Sequence, residues 1–238
     1  MSDAHAIRTT GIVVALASEA RTLIPHATPD RLTPLADGAA LWLSGMGLAA
    51  AQRAAQQLVN AGAKALAVFG VAGALDSSLS NGALICPEHV LDENGARYAT
   101  DASWRASVQQ SLVTTSGSLL SVHAPLLTVA EKADARRRFD TLAVDMESAA
   151  VADVAQRHSL PFISLRAIVD EAGDTVPAAL NNAVDAWGRP RAFGLITAVC
   201  RHPSVLGDLP RLYSRMQRAT HALRAAAQAT GPTLGWRP

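Results

Sequence analysis

Short apolar runs separated by longer alanine-rich stretches of helical period restrict the fold of this chain more than any other feature. The runs fall at residues 12–17, 39–43, 65–69, 83–86, 142–144 and 162–168. Their near-continuous Val, Ile, Leu and Ala content is that of strands buried on both faces, and the intervening helices imply crossover connections. The pattern predicts an α/β fold with a mainly parallel sheet flanked by helices. The clearest helix spans residues 48–60 and should stop at Gly62, where a residue of positive φ ends a helix at little cost. Apolar residues make up 49% of the chain and aromatics 4%, so helices are expected to approach the sheet closely through alanine. No repeat, low-complexity tract or linker interrupts the pattern. Residues 1–238 are expected to form one domain, with a basic C-terminal helix at about 208–228.

The net charge of +1 argues against a general nucleic-acid binder. It is unevenly spread: Arg201, Arg211, Arg215, Arg218, Arg224 and Arg237 face the single acid Asp208 over the last stretch of chain. A basic helix of this kind allows peripheral contact with an anionic membrane surface, although most such helices are simply solvated. Cys86 and Cys200 match no metal-ligand spacing and read as reduced thiols of a cytoplasmic protein. The seven histidines show no ligand spacing, so no metal is expected. No apolar run approaches the roughly 18 residues a membrane span needs. The run from Gly11 to Ala17 could mimic a signal-peptide core, but it reads better as the first buried strand.

Three segments carry candidate chemistry. Ser44-Gly45-Met46-Gly47-Leu48 joins a strand to a helix, so its amides could meet an anion with the helix dipole behind them. It fits a dinucleotide fingerprint only weakly, because the acid expected about 20 residues on is missing. Phe69-Gly70-Val71-Ala72-Gly73 is a second glycine-rich turn, and tight-turn geometry alone could explain either one. Val144-Asp145-Met146-Glu147 runs from strand into helix. Asp145 suits the N-cap, and Glu147, in phase with Val151 and Val154, faces inward, where a carboxylate needs partners. Finally, the strand ending Arg166-Ala167-Ile168-Val169-Asp170 delivers a carboxylate to its C-terminal end, where α/β sheets place ligands. Even spacing puts Arg166 and Asp170 on one face, where they could simply form an ion pair. Residues 173–190 lose periodicity and read as a loop or a short irregular helix; a long loop in a compact domain is often functional, such as a lid over a site.

In combination and order, these segments and the opening strand with Ser18-Glu19 resemble the nucleoside phosphorylase and nucleosidase family over about residues 10–175. The resemblance implies a three-layer αβα sandwich around a mixed, mostly parallel sheet, and cleavage of the N-glycosidic bond of a purine nucleoside. It implies that Glu147 grips the ribose hydroxyls, that Met146 packs on the sugar, and that Asp170 protonates or hydrogen-bonds purine N7; Arg166 and Gly73 join them in the substrate site. An Arg166–Asp170 pair would oppose that service of Asp170 as an acid.

The nucleophile is the open question. Related hydrolases carry a water-activating glutamate in the first turn, and aligning Thr22-Leu23-Ile24 puts Ala20 there, with Glu19 adjacent. Taken so, phosphate is the expected co-substrate, bound by Ser18, Arg21 and Gly45, with no other cofactor. Against it, Val68 and Val71 stand where some members carry an arginine and a serine for phosphate. Ala130-Glu131-Lys132 and the basic tail further resemble the hopanoid-associated phosphorylase subgroup, which implies an adenosyl group joined through its 5′ carbon to a hopane lipid, and at least a dimer. The alternatives are a water-using nucleosidase and, from Gly45 and Gly47 alone, a nicotinamide-dependent oxidoreductase.

Overall fold

In the computed structural model, which describes residues 7–177, 185–189 and 205–237, the apolar runs form one ten-stranded sheet. Its axis is β4 (Ala65–Ala74), whose first half lies parallel between β1 (Thr10–Val14) and β10 (Phe162–Asp170). Beyond β1 lie β3 (Ala40–Leu43), parallel, and β2 (Leu32–Pro34), antiparallel; β5 (Leu84–Ile85) pairs antiparallel with β10. The far end of β4 turns to pair antiparallel with β9 (Ala143–Asp145), which continues through β8 (Ser118–Ser121) and β6 (His89–Asp92) to β7 (Arg97–Ala99). At Gly73 the sheet therefore divides, with Asp170 opposite it on one side and Val144 on the other. Such a divergence of strands opens the kind of crevice in which α/β proteins bind ligands.

Helices cover both faces. Ala51, Ala54, Ala55 and Leu58 of α2 (Leu48–Asn60) share a core with Val151, Ala152, Val154 and Ala155 of α5 (Ser148–Arg157). On the opposite face, α1 (Ala17–Leu23), α3 (Ala102–Ser111) and α6 (Val205–Thr230) bury Ala20, Trp104, Val108, Ala219, Leu223 and Ala226. α4 (Val129–Phe139) closes a smaller cluster through Ala135, beside Leu75, Leu120 and Val144. The expected layered α/β architecture is what forms, and alanine on the inner helix faces permits the close approach.

The predicted helix over 48–60 has those limits, and Gly62 follows it at φ +101°. The first strand stops at Val14 and the chain is helical again from Ala17, earlier than the apolar run suggests. The basic C-terminal helix runs slightly beyond its expected limits. Two of its arginines are already engaged: Arg211 Nη2 lies 3.0 Å and Arg215 Nη2 2.6 Å from Asp174 Oδ1. Among the described residues no helix is long and apolar enough to cross a membrane. Cys86 is buried and free, its thiol pushed up to about 12 by burial, so it is unreactive; Cys200 and Arg201 lie outside the described residues, as does part of the loop expected at 173–190.

Candidate active site

A cavity of about 240 Å³ opens where β4, β9 and β10 diverge. Its charged lining consists of Glu19, Asp145, Glu147 and Asp170, with no lysine or arginine among the described lining residues. The remaining wall is apolar, formed by Leu16, Met46, Val71, Met146 and the stretch that includes Val122, Leu126 and Leu127.

Just behind the lining, Arg166 is fully buried at the centre of three of these acids. Its Nη2 forms an ion pair with Asp145 and lies 3.2 Å from Glu147 Oε2. Asp145 also accepts from Ser121 Oγ at 2.5 Å and from the Ser148 amide at 3.2 Å; it is not the N-cap residue expected from the sequence, since it lies two residues before that position, and it satisfies the first turn of α5 from there while anchoring the arginine. Glu147 stands at the α5 N-cap position with φ −133° and ψ −39°, and Oε1 accepts from the Gly47 amide at 3.0 Å. Burial raises its pKa, opposed by Arg166 and reinforced by Asp145.

Glu19 is the residue whose importance the alignment of Thr22-Leu23-Ile24 obscures. It lies at the third position of α1, and its carboxylate turns inward, where Oε2 accepts from the Leu16 amide at 2.8 Å and Oε1 from the Val71 amide at 2.7 Å. Gly70 makes room for it: a Cβ there would lie 2.5 Å from Glu19 Oε1. Burial raises the Glu19 pKa to about 7, against the opposing pull of Arg166 and the two amides. Ala20, the aligned residue, is buried in the opposite core.

The glycine turn at 45–47 and the Gly70–Gly73 stretch, which forms no turn but lies within β4, both present amides to the protein's own carboxylates. The Gly47 amide meets Glu147 and the Val71 amide meets Glu19, where the sequence suggested an external anion. The residues expected around phosphate are not brought together: none of Ser18, Arg21 and Gly45 lines the cavity, and Arg21 is exposed on α1. Gly45 adopts φ +82°, so the turn itself accounts for that glycine.

The expected Arg166–Asp170 pairing is also corrected. Between Ile168 and Asp170 the pairing with β4 slips by one residue, a bulge that breaks the two-residue period of the strand. Arg166 joins the Asp145–Glu147 side, whereas Asp170 pairs with Lys132 of α4. Gly73, opposite Asp170, has no side chain, and a Cβ there would lie 3.0 Å from Asp170 Oδ2. Met146 lines the cavity as expected. Lys132 enters the sequence reading only through the resemblance carried by residues 130–132; a lysine between Glu131 and Ala133 in a mostly charged segment gives no local sign that it is buried.

No curated protein matches the sequence. Among solved structures, the 5′-methylthioadenosine/S-adenosylhomocysteine nucleosidase of S. pneumoniae superposes with a TM-score of 0.67 at 18% identity, over 94% of this chain and 100% of that one. The corresponding nucleosidase of Helicobacter pylori gives 0.64 at 19% identity, over 82% and 99%. Futalosine hydrolase of Helicobacter pylori gives 0.64 at 18% identity, over 92% and 97%. These likenesses establish the shared fold. The sequence profile of the Phosphorylase superfamily matches residues 14–201, most of the chain including every cavity acid, and the chain belongs to that superfamily.

Proposed function

We propose that this protein is a nucleosidase that hydrolyses the N-glycosidic bond of an adenine nucleoside carrying an apolar group at its 5′ carbon, with water as the nucleophile. The observation that carries the choice of water is Glu19, a buried carboxylate on the cavity wall with a pKa raised to about 7, where a general base works best near neutral pH. The nucleosidase names of the structures that share this fold support the reading.

Glycosidic cleavage leaves positive charge on the sugar and negative charge on the departing base. The cavity supplies what the first requires: its four acids outnumber the two buried cations that meet them, Arg166 and Lys132, leaving residual negative potential where a cationic sugar would form. Glu147 would take the ribose hydroxyls, and Met146 would pack against the ring. Glu19 would take a proton from water as it attacks C1′, while Asp170 serves N7 of the leaving purine.

The same charges disfavour phosphate. A dianion would enter a wall of carboxylates, and the two backbone amides that could bind it are already occupied. The apolar lining from Leu16, Met46, Val122 and Leu127 suits a 5′-alkyl or 5′-lipid substituent, of which the hopane-linked adenosine implied by the subgroup resemblance is one example.

The test is to incubate purified protein with adenosine and a 5′-alkylthioadenosine, and to follow free adenine with phosphate present and with phosphate removed. Equal rates in both conditions, higher for the alkylated substrate, are expected. Release that requires phosphate would overturn hydrolysis and bring Arg21 back as the anion ligand.

A further inference from the structure

Lys132 has no place in the scheme above, yet it is one of the largest fully buried side chains, with 1% of its side chain exposed. Its Nζ reaches from α4 to Asp170 Oδ2, with which it forms an ion pair, and donates to the Glu171 carbonyl at 2.8 Å. Burying an ammonium costs several kcal/mol before its partners repay it, and a leucine or methionine would join α4 to β10 without that cost. The ammonium also lies against the one cavity acid assigned to the departing base.

We infer that Lys132 is the positioning residue and proton source for the leaving purine, with Asp170 as the relay between them; this rests on the nucleosidase reading. In a lysine–aspartate ion pair the transferable proton sits on nitrogen, so Asp170 alone holds none to give. As the C1′–N9 bond breaks, its electron pair passes into the purine. Lys132 Nζ passes a proton to the Asp170 carboxylate, and the carboxylic acid so formed delivers that proton to N7, which restores the carboxylate. Lys132 ends neutral, the base leaves neutral, and Glu19 holds the proton taken from water; exchange with solvent restores both groups. A purine anion is a base of roughly amine strength, so an ammonium is a suitable donor, and the carboxylate supplies the reach that the buried amine lacks.

A merely structural lysine and a proton-supplying one differ in how they depend on the leaving group. The full-length wild type, Lys132→Met, Lys132→Arg and Asp170→Asn are compared on a 5′-alkylthioadenosine and on 4-nitrophenyl β-D-ribofuranoside, whose phenolate departs without a proton. General-acid help is typically worth about 10²–10⁴ in rate, so Lys132→Met and Asp170→Asn should lose at least about 10²-fold in kcat on the adenine nucleoside. Circular dichroism should match wild type, and turnover of the nitrophenyl riboside should fall far less than turnover of the adenine nucleoside. Lys132→Arg, which keeps a cation but holds its proton more tightly, should fold like the wild type and still lack its turnover of the adenine nucleoside. Equal losses on both substrates would overturn the inference and leave Lys132 a structural tie. A wild type that releases no base from either substrate would overturn the nucleosidase reading itself.

Discussion

Glu19 illustrates how a single side chain can cost stability and supply chemistry together. Its folded pKa of about 7 lies above the ordinary 4.5, so the folded chain holds that proton more tightly than the unfolded one. Stability should therefore fall as pH rises from 4.5 to about 7 and level off above, a total penalty of roughly 3 kcal/mol. Glu19→Gln should melt higher than wild type at about pH 8, with the gap closing toward pH 5, and should lose most of its turnover. In the wild type, kcat/KM should rise through about pH 7 as Glu19 ionises. A variant that melts like the wild type across this range, with a similar pH–rate profile, would rule out an ionisable buried Glu19. At this scale the sequence is informative about acids at strand ends: Glu147 and Asp170 stand in the cavity as their positions suggest. It is misleading about partners, because the acid next to the aligned position is the one that turns inward and because the mate of Asp170 arrives from a helix 38 residues away.

Among the elements, β4 and β10 do most to shape the site, and the glycines of β4 explain how. At Gly70 an added Cβ would meet both Glu19 Oε1 at 2.5 Å and Arg166 Nη1 at 2.8 Å. Gly70→Ala should thus cost about 1–3 kcal/mol through overpacking. By moving the Glu19 carboxylate it should also lower turnover by about 10²-fold, measured by adenine release beside a thermal melt. Normal turnover would mean that the carboxylate's placement is not critical. The strands and helices with strong apolar period are legible in the sequence, as are the layers they form. Short β6, β7 and β8 are not, since three or four residues carry too little pattern, and neither is α4, whose residues Val129–Phe139 are mostly charged. The bulge at Ile168–Asp170 is invisible for a different reason: one extra residue in a strand is set by its neighbour's pairing and leaves no local mark.

Across the whole molecule, the sheet's division at Gly73 brings together acids from α1, β9, β10 and the start of α5, so the site exists only once strands distant in sequence have paired. The basic surface of the C-terminal helix is partly spent within the fold, since Arg211 and Arg215 serve Asp174 in the loop after β10. The acid-lined cavity has one more consequence, for selection among metabolites. Adenine in a cell is held mostly in phosphorylated form, and an enzyme that severs adenine from ribose must leave that pool intact. On the proposed reading, four acidic side chains on the wall and no lysine or arginine among the described lining residues would supply such a safeguard, since a 5′-phosphate would bring its charge to a surface of the same sign. Adenosine 5′-monophosphate should therefore be neither cleaved nor inhibitory at concentrations where a neutral 5′-alkylthioadenosine saturates the protein. Competitive inhibition by the monophosphate would show that the charges do not act in this way. On the proposed reading, the acids assigned to departure of the base would thus also act as a charge filter that spares nucleotides and admits uncharged adenosine derivatives.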